Sequence, residues 1–562
     1  MNVGFVAGRR VLLRLVALGW LALLAATAHG GGSAVASAHP LATRAGEQVL
    51  ATGGNAFDAA VAVAAVLAVV EPYASGLGGG GFFLLHRALD GWQAVVDARE
   101  TAPRAAGPDF YLDATGKADG RASLDGARAA AIPGLPAGLA HVAKFYGTRA
   151  LSETLAPAIR FAEEGFSTDA RYGTAAAGRE AALRADGRTA AVFLADGAAP
   201  APGHRVRQPH LARTLRALAA HGADGFYFGA VAEELVRSVR AAGGAWSAHD
   251  LAGYRVIERH PVRIRHGGAT VTTAPLPSSG GLVLAQALQI LERLEAAAQP
   301  QVERDHLVVE ALRRGYQDRA RWMGDPGFVA VPEARLSSPV YAARRAAGVD
   351  RLRATSSMAL GAEAAAVEGE DTTHFSIVDA QGNRVAATLS INGPFGAALL
   401  AGDTGVLLNN EMDDFVLAPG TTNLYGLTGG EANLVAPGKR PLSSMSPTFV
   451  EDERGVLVLG TPGGSRIISM VLLAILEHLG SPVVDLERVV GRPRFHHQFL
   501  PDRVEIEPGQ FAPEWRAALE ARGHTVQEGR RRWGNMQAVF ADRLTGEAIA
   551  AGDPRARAGV PF

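Results

Sequence analysis

The sequence predicts an α/β protein. From about residue 39 onward, runs with strand composition alternate with apolar or amphipathic runs of helical length. A β-hairpin signature at residues 374–391 supports the same class.

The chain has 562 residues, 48% hydrophobic and 20% charged, so it carries ample material for a core. Its formal net charge of −1 gives no electrostatic basis for binding nucleic acid or anionic lipid. Arg530-Arg531-Arg532 is the one dense basic run and reads as a solvated face. With no cysteine, disulfides, thiolate catalysis and Cys-ligated zinc are excluded.

Arg9, Arg10 and Arg14 precede or edge an apolar run over residues 11–28. Ala26-Thr27-Ala28 and Ala36-Ser37-Ala38 are small-x-small sites for a signal peptidase. The expectation is a signal segment within residues 1–38, cut near 28 or 38, and a periplasmic or secreted mature protein. A retained single-span anchor is the alternative. Arg9-Arg10 is also compatible with twin-arginine export.

Gly53-Gly54-Asn55 leads into an Ala/Val-rich helix over 57–70, apolar on nearly every face and therefore buried. The glycine run at residues 76–81 precedes a strand at 82–86. It lacks the Lys-Ser/Thr of a P-loop, so it reads as a site of close backbone approach. A strand at 92–97 ends at Arg99-Glu100, a common place for a ligand contact in an α/β protein and also an ordinary surface position. Residues 140–350 read as a mostly helical scaffold, with helices at 211–221, 230–242, 282–297 and 302–323.

Residues 354–370 lack a steady apolar period and read as an exposed linker. The pattern changes at Asp371-Thr372-Thr373-His374-Phe375-Ser376. A three-residue loop with Gly382 left-handed would centre the hairpin on Gln381 and set Thr372 opposite Ser390. Two readings of Thr372 are open locally. It is a β-branched residue opening a strand, or it becomes a new N-terminus whose α-amine serves as base for its own hydroxyl.

Polar residues concentrate after the hairpin. Glu411, Asp413 and Asp414 form a carboxylate cluster, and residues 419–433 form a Gly-rich loop containing Tyr425. Gly463-Gly464 precedes an apolar helix at 467–479 and suits either a tight turn or an anion or oxyanion site. His496 and His497 are adjacent, and neighbours on a strand point to opposite faces, which argues against shared metal ligation.

Taken together these motifs resemble the γ-glutamyltransferase family of N-terminal-nucleophile hydrolases. The likeness is carried by Glu71-Pro72, residues 75–82, 97–100 and 277–281, then 372–376, 409–415, 441–447, 462–466 and 494–498. It implies one interlocked αββα sandwich built from two chains of a self-cleaved precursor, residues 39–371 and 372–562. Thr372 matches the nucleophile. Ser390 stands where the family usually has a hydrogen-bonding threonine. Arg99, Ser443 and Ser444 match groups holding the donor α-carboxylate, and Asn392, Glu411 and Asp414 those around its α-amino group. Gly463 and Gly464 match the oxyanion hole, and the Tyr425 loop matches a lid. The implied partners are a glutathione-like γ-glutamyl donor and an amino-acid, peptide or water acceptor, with no cofactor. A related glutaryl or cephalosporin-type acylase and a non-catalytic binding protein of the same fold are the rival readings.

Overall fold

The computed structural model describes residues 32–361, 372–418 and 421–557. The apolar segment at 11–28, most of the expected linker, Asp371, and Pro419-Gly420 of the lid lie outside the described residues.

Twelve strands form two stacked six-stranded sheets. In chain order they are β1 (Ala34–Ser37), β2 (Gly80–Arg87), β3 (Trp92–Ala98), β4 (Ile257–Arg259), β5 (Val262–His266) and β6 (Ala269–Thr273). Then come β7 (Thr373–Val378), β8 (Arg384–Ser390), β9 (Thr448–Glu451), β10 (Gly455–Gly460), β11 (Gln537–Asp542) and β12 (Ala548–Gly552). The first sheet runs β1-β7-β8-β2-β3-β4 and the second β12-β11-β10-β9-β6-β5, with every pairing antiparallel. Each sheet takes strands from both sides of residue 371, so the two halves share their cores.

Strand alternation sorts side chains into two cores. Phe375, Ile377, Val385 and Ala387 face the helical layer containing α1 (Pro40–Ala51) and α2 (Ala56–Val70), where every residue of α2 is buried. Val378, Ala386, Phe82 and Leu84 face the second sheet. The helices α3 (Gly280–Arg293), α4 (Gln301–Trp322) and α5 (Ile467–Leu479) belong to the core on that side.

The expected hairpin forms. Gly382 N–H donates to Asp379 O at 2.9 Å, and Gly382 has φ +87°, a conformation glycine adopts without a Cβ penalty. Asp379 also accepts from Gln381 N, Asn383 N and, at 2.8 Å, from Ala56 N at the start of α2. The turn is thus fastened to the helix beneath it.

One expectation needs a detail and another a correction. Residues 140–350 are mostly helical as expected, and the short strands β4, β5 and β6 are among the interruptions. The two-residue Gly267-Gly268 loop, with φ +55° and +82°, joins β5 to β6 and was a legible hairpin signal. The linker is also shorter than its composition implies. Ala354 N–H donates to Arg522 O at 2.7 Å, and Thr355 N–H to Glu310 at 3.0 Å. Ser357, fully buried, donates its N–H to Asp502 at 2.7 Å. Among the described residues no helix is long and apolar enough to cross a membrane.

Candidate active site

The β7–β8 register pairs Thr373 with Leu389 and extends to place Thr372 opposite Ser390. Thr372 Oγ1 lies 3.5 Å from Ser390 Oγ, and both residues are buried. Ser390 Oγ also accepts the Asn392 N–H at 2.8 Å. On the opposite face of β7, Thr373 Oγ1 donates to Glu71 Oε2 at 2.7 Å, which anchors the strand next to Thr372.

Ten of the eleven residues singled out from sequence line one small cavity. They are Thr372, Ser390, Asn392, Arg99, Glu411, Asp414, Ser443, Ser444, Tyr425 and Gly464. Gly463 is adjacent in the chain and sits at the same turn. Gly463 has φ +138° and Gly464 φ +53°, and the turn Gly464–Arg466 runs into α5. A Cβ on Gly464 would stand 2.3 Å from the Tyr425 ring, so only glycine lets that ring close over the turn. Tyr425 OH donates to Asn392 O at 3.1 Å and its carbonyl accepts from Gln498 Nε2 at 3.1 Å. The Tyr425 loop is fastened by Asp413 and Asp414. Leu424 N–H donates to Asp413 at 2.7 Å, and Asn423 Nδ2 to Asp414 Oδ1 at 3.1 Å.

Arg99 is fully buried and its guanidinium pairs with Glu411, Asp414 and Glu100. The groups assigned to opposite ends of a zwitterion therefore form one charge cluster. Its backbone is fixed as well. Arg99 N–H donates to Asp97 at 2.9 Å, and Arg99 O accepts from Arg440 at 2.6 Å and Tyr254 OH at 2.8 Å. Burial works against the Arg99 charge, but Glu411, Asp414 and Glu100 outweigh it and raise its pKa. Burial pushes the Glu100 carboxyl up to about 7, and it drives Glu411 well above the usual carboxylate range with help from the Glu100 charge. Asp414 is raised by burial, with Arg99 opposing. Glu411 Oε2 and Glu100 Oε1 are buried without a hydrogen-bond partner among the described residues. The cluster holds acceptors suited to a cationic group beside a guanidinium suited to a carboxylate.

Sequence reasoning left Glu100 without a role although Arg99-Glu100 was in view, because burial of both cannot be read from a dipeptide. It missed Arg440 and Tyr254, which reach Arg99 across long sequence separations. His374 sits between the sheets, its Nδ1 2.8 Å from Thr388 Oγ1 and its Nε2 3.1 Å from Ser376 Oγ. Burial lowers its pKa to about 3, so it stays neutral and structural. His496 contacts Ser469 and Gln498, whereas His497 contacts Asp502, so the adjacent histidines have separate environments.

Two stacked antiparallel sheets flanked by helices, with a threonine opening a central strand beside a charged cavity, form an N-terminal-nucleophile hydrolase fold. A cephalosporin acylase from Bacillus halodurans shares it, with TM-score 0.81 and 27% identity over 93% of this chain and 94% of that one. A glutathione hydrolase proenzyme of Pseudomonas sp. (strain A14) is 40% identical over 94% of this chain and 93% of its own length. One from Escherichia coli (strain K12) is 40% identical over 93% and 90%. Residues 42–561 match the Gamma-glutamyltranspeptidase family model, and the chain belongs to that family of enzymes.

Proposed function

We propose that this protein is an exported γ-glutamyltransferase and glutathione hydrolase whose nucleophile is Thr372, freed by self-cleavage of the Asp371–Thr372 bond. The observation that carries this reading is that Thr372 lines the same cavity as Arg99, Glu411 and Asp414. A γ-glutamyl group is a zwitterion at one end and an amide at the other, so those groups can hold the one while Thr372 meets the other. Holding the donor in that pose supplies the orientation component of catalysis.

In the precursor, Thr372 Oγ attacks the Asp371 carbonyl and the peptide nitrogen leaves, giving an ester by N-to-O acyl shift. Water hydrolyses the ester and releases a chain ending in Asp371. The new Thr372 α-amine then takes the proton of its own hydroxyl as Oγ attacks the donor γ-carbonyl. The Gly463-Gly464 turn supplies backbone N–H groups for the oxyanion. The leaving amine takes a proton and departs, and water or an acceptor amine attacks the γ-glutamyl ester. None of these steps calls on a cofactor.

Mass spectrometry with a donor panel tests the proposal. Wild type should run as two associated chains and release amine from γ-glutamyl amides. Thr372→Ala should stay one folded, inactive chain, and Thr372→Ser should cut slowly and keep some activity. An active wild type that remains one chain, or Thr372→Ala cut at this bond, would overturn the mechanism. The likeness to a cephalosporin acylase supplies a second reading, in which glutaryl amides are the preferred donors. Glu411 Oε2 favours the first reading, because it is a buried oxygen without a partner among the described residues, and an ammonium beside it would favour the ionised, accepting form.

A further inference from the structure

The helix α4 carries three buried arginines, and two of them are fully engaged. Arg313 pairs with Glu310 and Asp502 and donates to Ser357 Oγ at 2.7 Å. Arg314 pairs with Glu310 at 2.5 Å and donates to Arg345 O and Gly348 O. Arg319, only 4% exposed, differs. Its one side-chain hydrogen bond among the described residues runs from Nε to Ser279 Oγ at 3.0 Å, and no carboxylate pairs with it there. Leaving a buried guanidinium without an anion is costly, and a position that keeps one calls for an explanation. Burial lowers its pKa, yet a guanidinium stays charged in a protein.

The surroundings supply the explanation. Ser279 Oγ donates to Ser443 O at 2.7 Å, and Ser279 N–H to the same oxygen at 2.8 Å. Arg319 thus reaches, through one hydroxyl, the Ser443-Ser444 turn that lines the cavity. Its charge also acts on Asp414 and Arg99. Three carboxyl groups, Glu100, Glu411 and Asp414, already surround the single guanidinium of Arg99, so that cation is shared before a donor carboxylate reaches it.

We propose that Arg319 is a positioning residue for donor selectivity, a fixed second cation behind the Ser443-Ser444 turn that lets this cavity accept donors bearing an α-carboxylate. The inference rests on the γ-glutamyl reading above and goes further, because it assigns carboxylate selectivity to a side chain outside the cavity wall.

The test compares three p-nitroanilides: γ-glutamyl, glutaryl, which lacks the ammonium, and 4-aminobutyryl, which lacks the carboxylate. Arg319→Met should raise KM about tenfold for donors with the carboxylate and leave kcat within about twofold. It should leave 4-aminobutyryl turnover unchanged, and Arg319→Lys should restore most of the loss. Ser279→Ala, which keeps the cation and breaks the relay, should raise KM about threefold on the same two donors only. If Arg319→Met does not fold, Ser279→Ala and Arg319→Lys decide. Equal losses on all three donors, or no loss on any, would overturn the proposal. A wild type that releases nothing from the γ-glutamyl donor would instead sink the functional reading itself.

Discussion

Ser390 stands across the hairpin from Thr372, with the two hydroxyl oxygens 3.5 Å apart, and the same Ser390 oxygen accepts the Asn392 N–H at 2.8 Å. One hydroxyl therefore links Thr372 to Asn392, and all three residues line the same cavity. Ser390→Ala should remove the contact to Thr372 and leave a buried N–H unpaired, a cost of about 1–3 kcal/mol. We expect kcat/KM to fall about ten- to a hundredfold. Ser390→Thr should retain activity, since it keeps the hydroxyl and restricts its rotamer. Steady-state kinetics on a γ-glutamyl amide check both. A Ser390→Ala enzyme at wild-type rate would show that the contact is idle.

The Arg99 cluster predicts a different pattern. Arg99→Lys keeps the charge but loses the planar fork that spans Glu411 and Asp414, so donor KM should rise markedly. Asp414→Ala should cost about 2–5 kcal/mol of transition-state binding by leaving charged partners unpaired. Both variants should still self-cleave, because Thr372 and the strand holding it are untouched. Wild-type kcat/KM in either variant would remove that residue from the donor site.

Acidity should weaken donor binding through Glu100. Its carboxyl takes a proton as pH falls through about 7, which removes negative charge from the cluster proposed to face the donor ammonium. By linkage, ammonium binding favours the ionised carboxylate, so kcat/KM should rise with pH across this range. The free Thr372 amine must also be neutral to act as base, and its limb lies in the same direction. A glutaryl donor, lacking the ammonium, separates them by reporting the amine alone. Glu100→Gln should abolish the carboxylate limb for the γ-glutamyl donor only. Profiles of wild type and Glu100→Gln that superimpose would refute this assignment.

Of the two small-x-small sites expected for a signal peptidase, the strand β1 favours the one after Ala28. Residues Ala34–Ser37 pair with Phe375–Val378 of β7, and Val35 and Ala36 are buried. A cut after Ala38 would strip that strand and bare the edge of β7, a liability for any sheet. N-terminal sequencing of the exported protein should therefore read from His29. A mature chain starting at His39 would show that β1 is dispensable.

Sequence by itself determined the local geometry and the inventory of chemistry. The turn at Gly382 and the placement of Thr372 opposite Ser390 follow from hairpin rules that act over a few residues. Most pocket residues were recoverable because they sit in short motifs, and motifs survive as ordered strings. The tertiary structure alone decided how the charges combine. Arg99, Glu100, Glu411 and Asp414 were visible as letters, but burial sets their protonation, and burial depends on which distant segments close over them. Arg319 looked like part of a helical scaffold, and Ser279 was in view only within the 277–281 motif, since nothing local distinguishes a solvated arginine from a buried one. The tethering of residues 354–357 by Glu310, Asp502 and Arg522 was hidden for the same reason. Such contacts join residues separated by tens to hundreds of positions, and a periodicity read over a few turns carries no information about them.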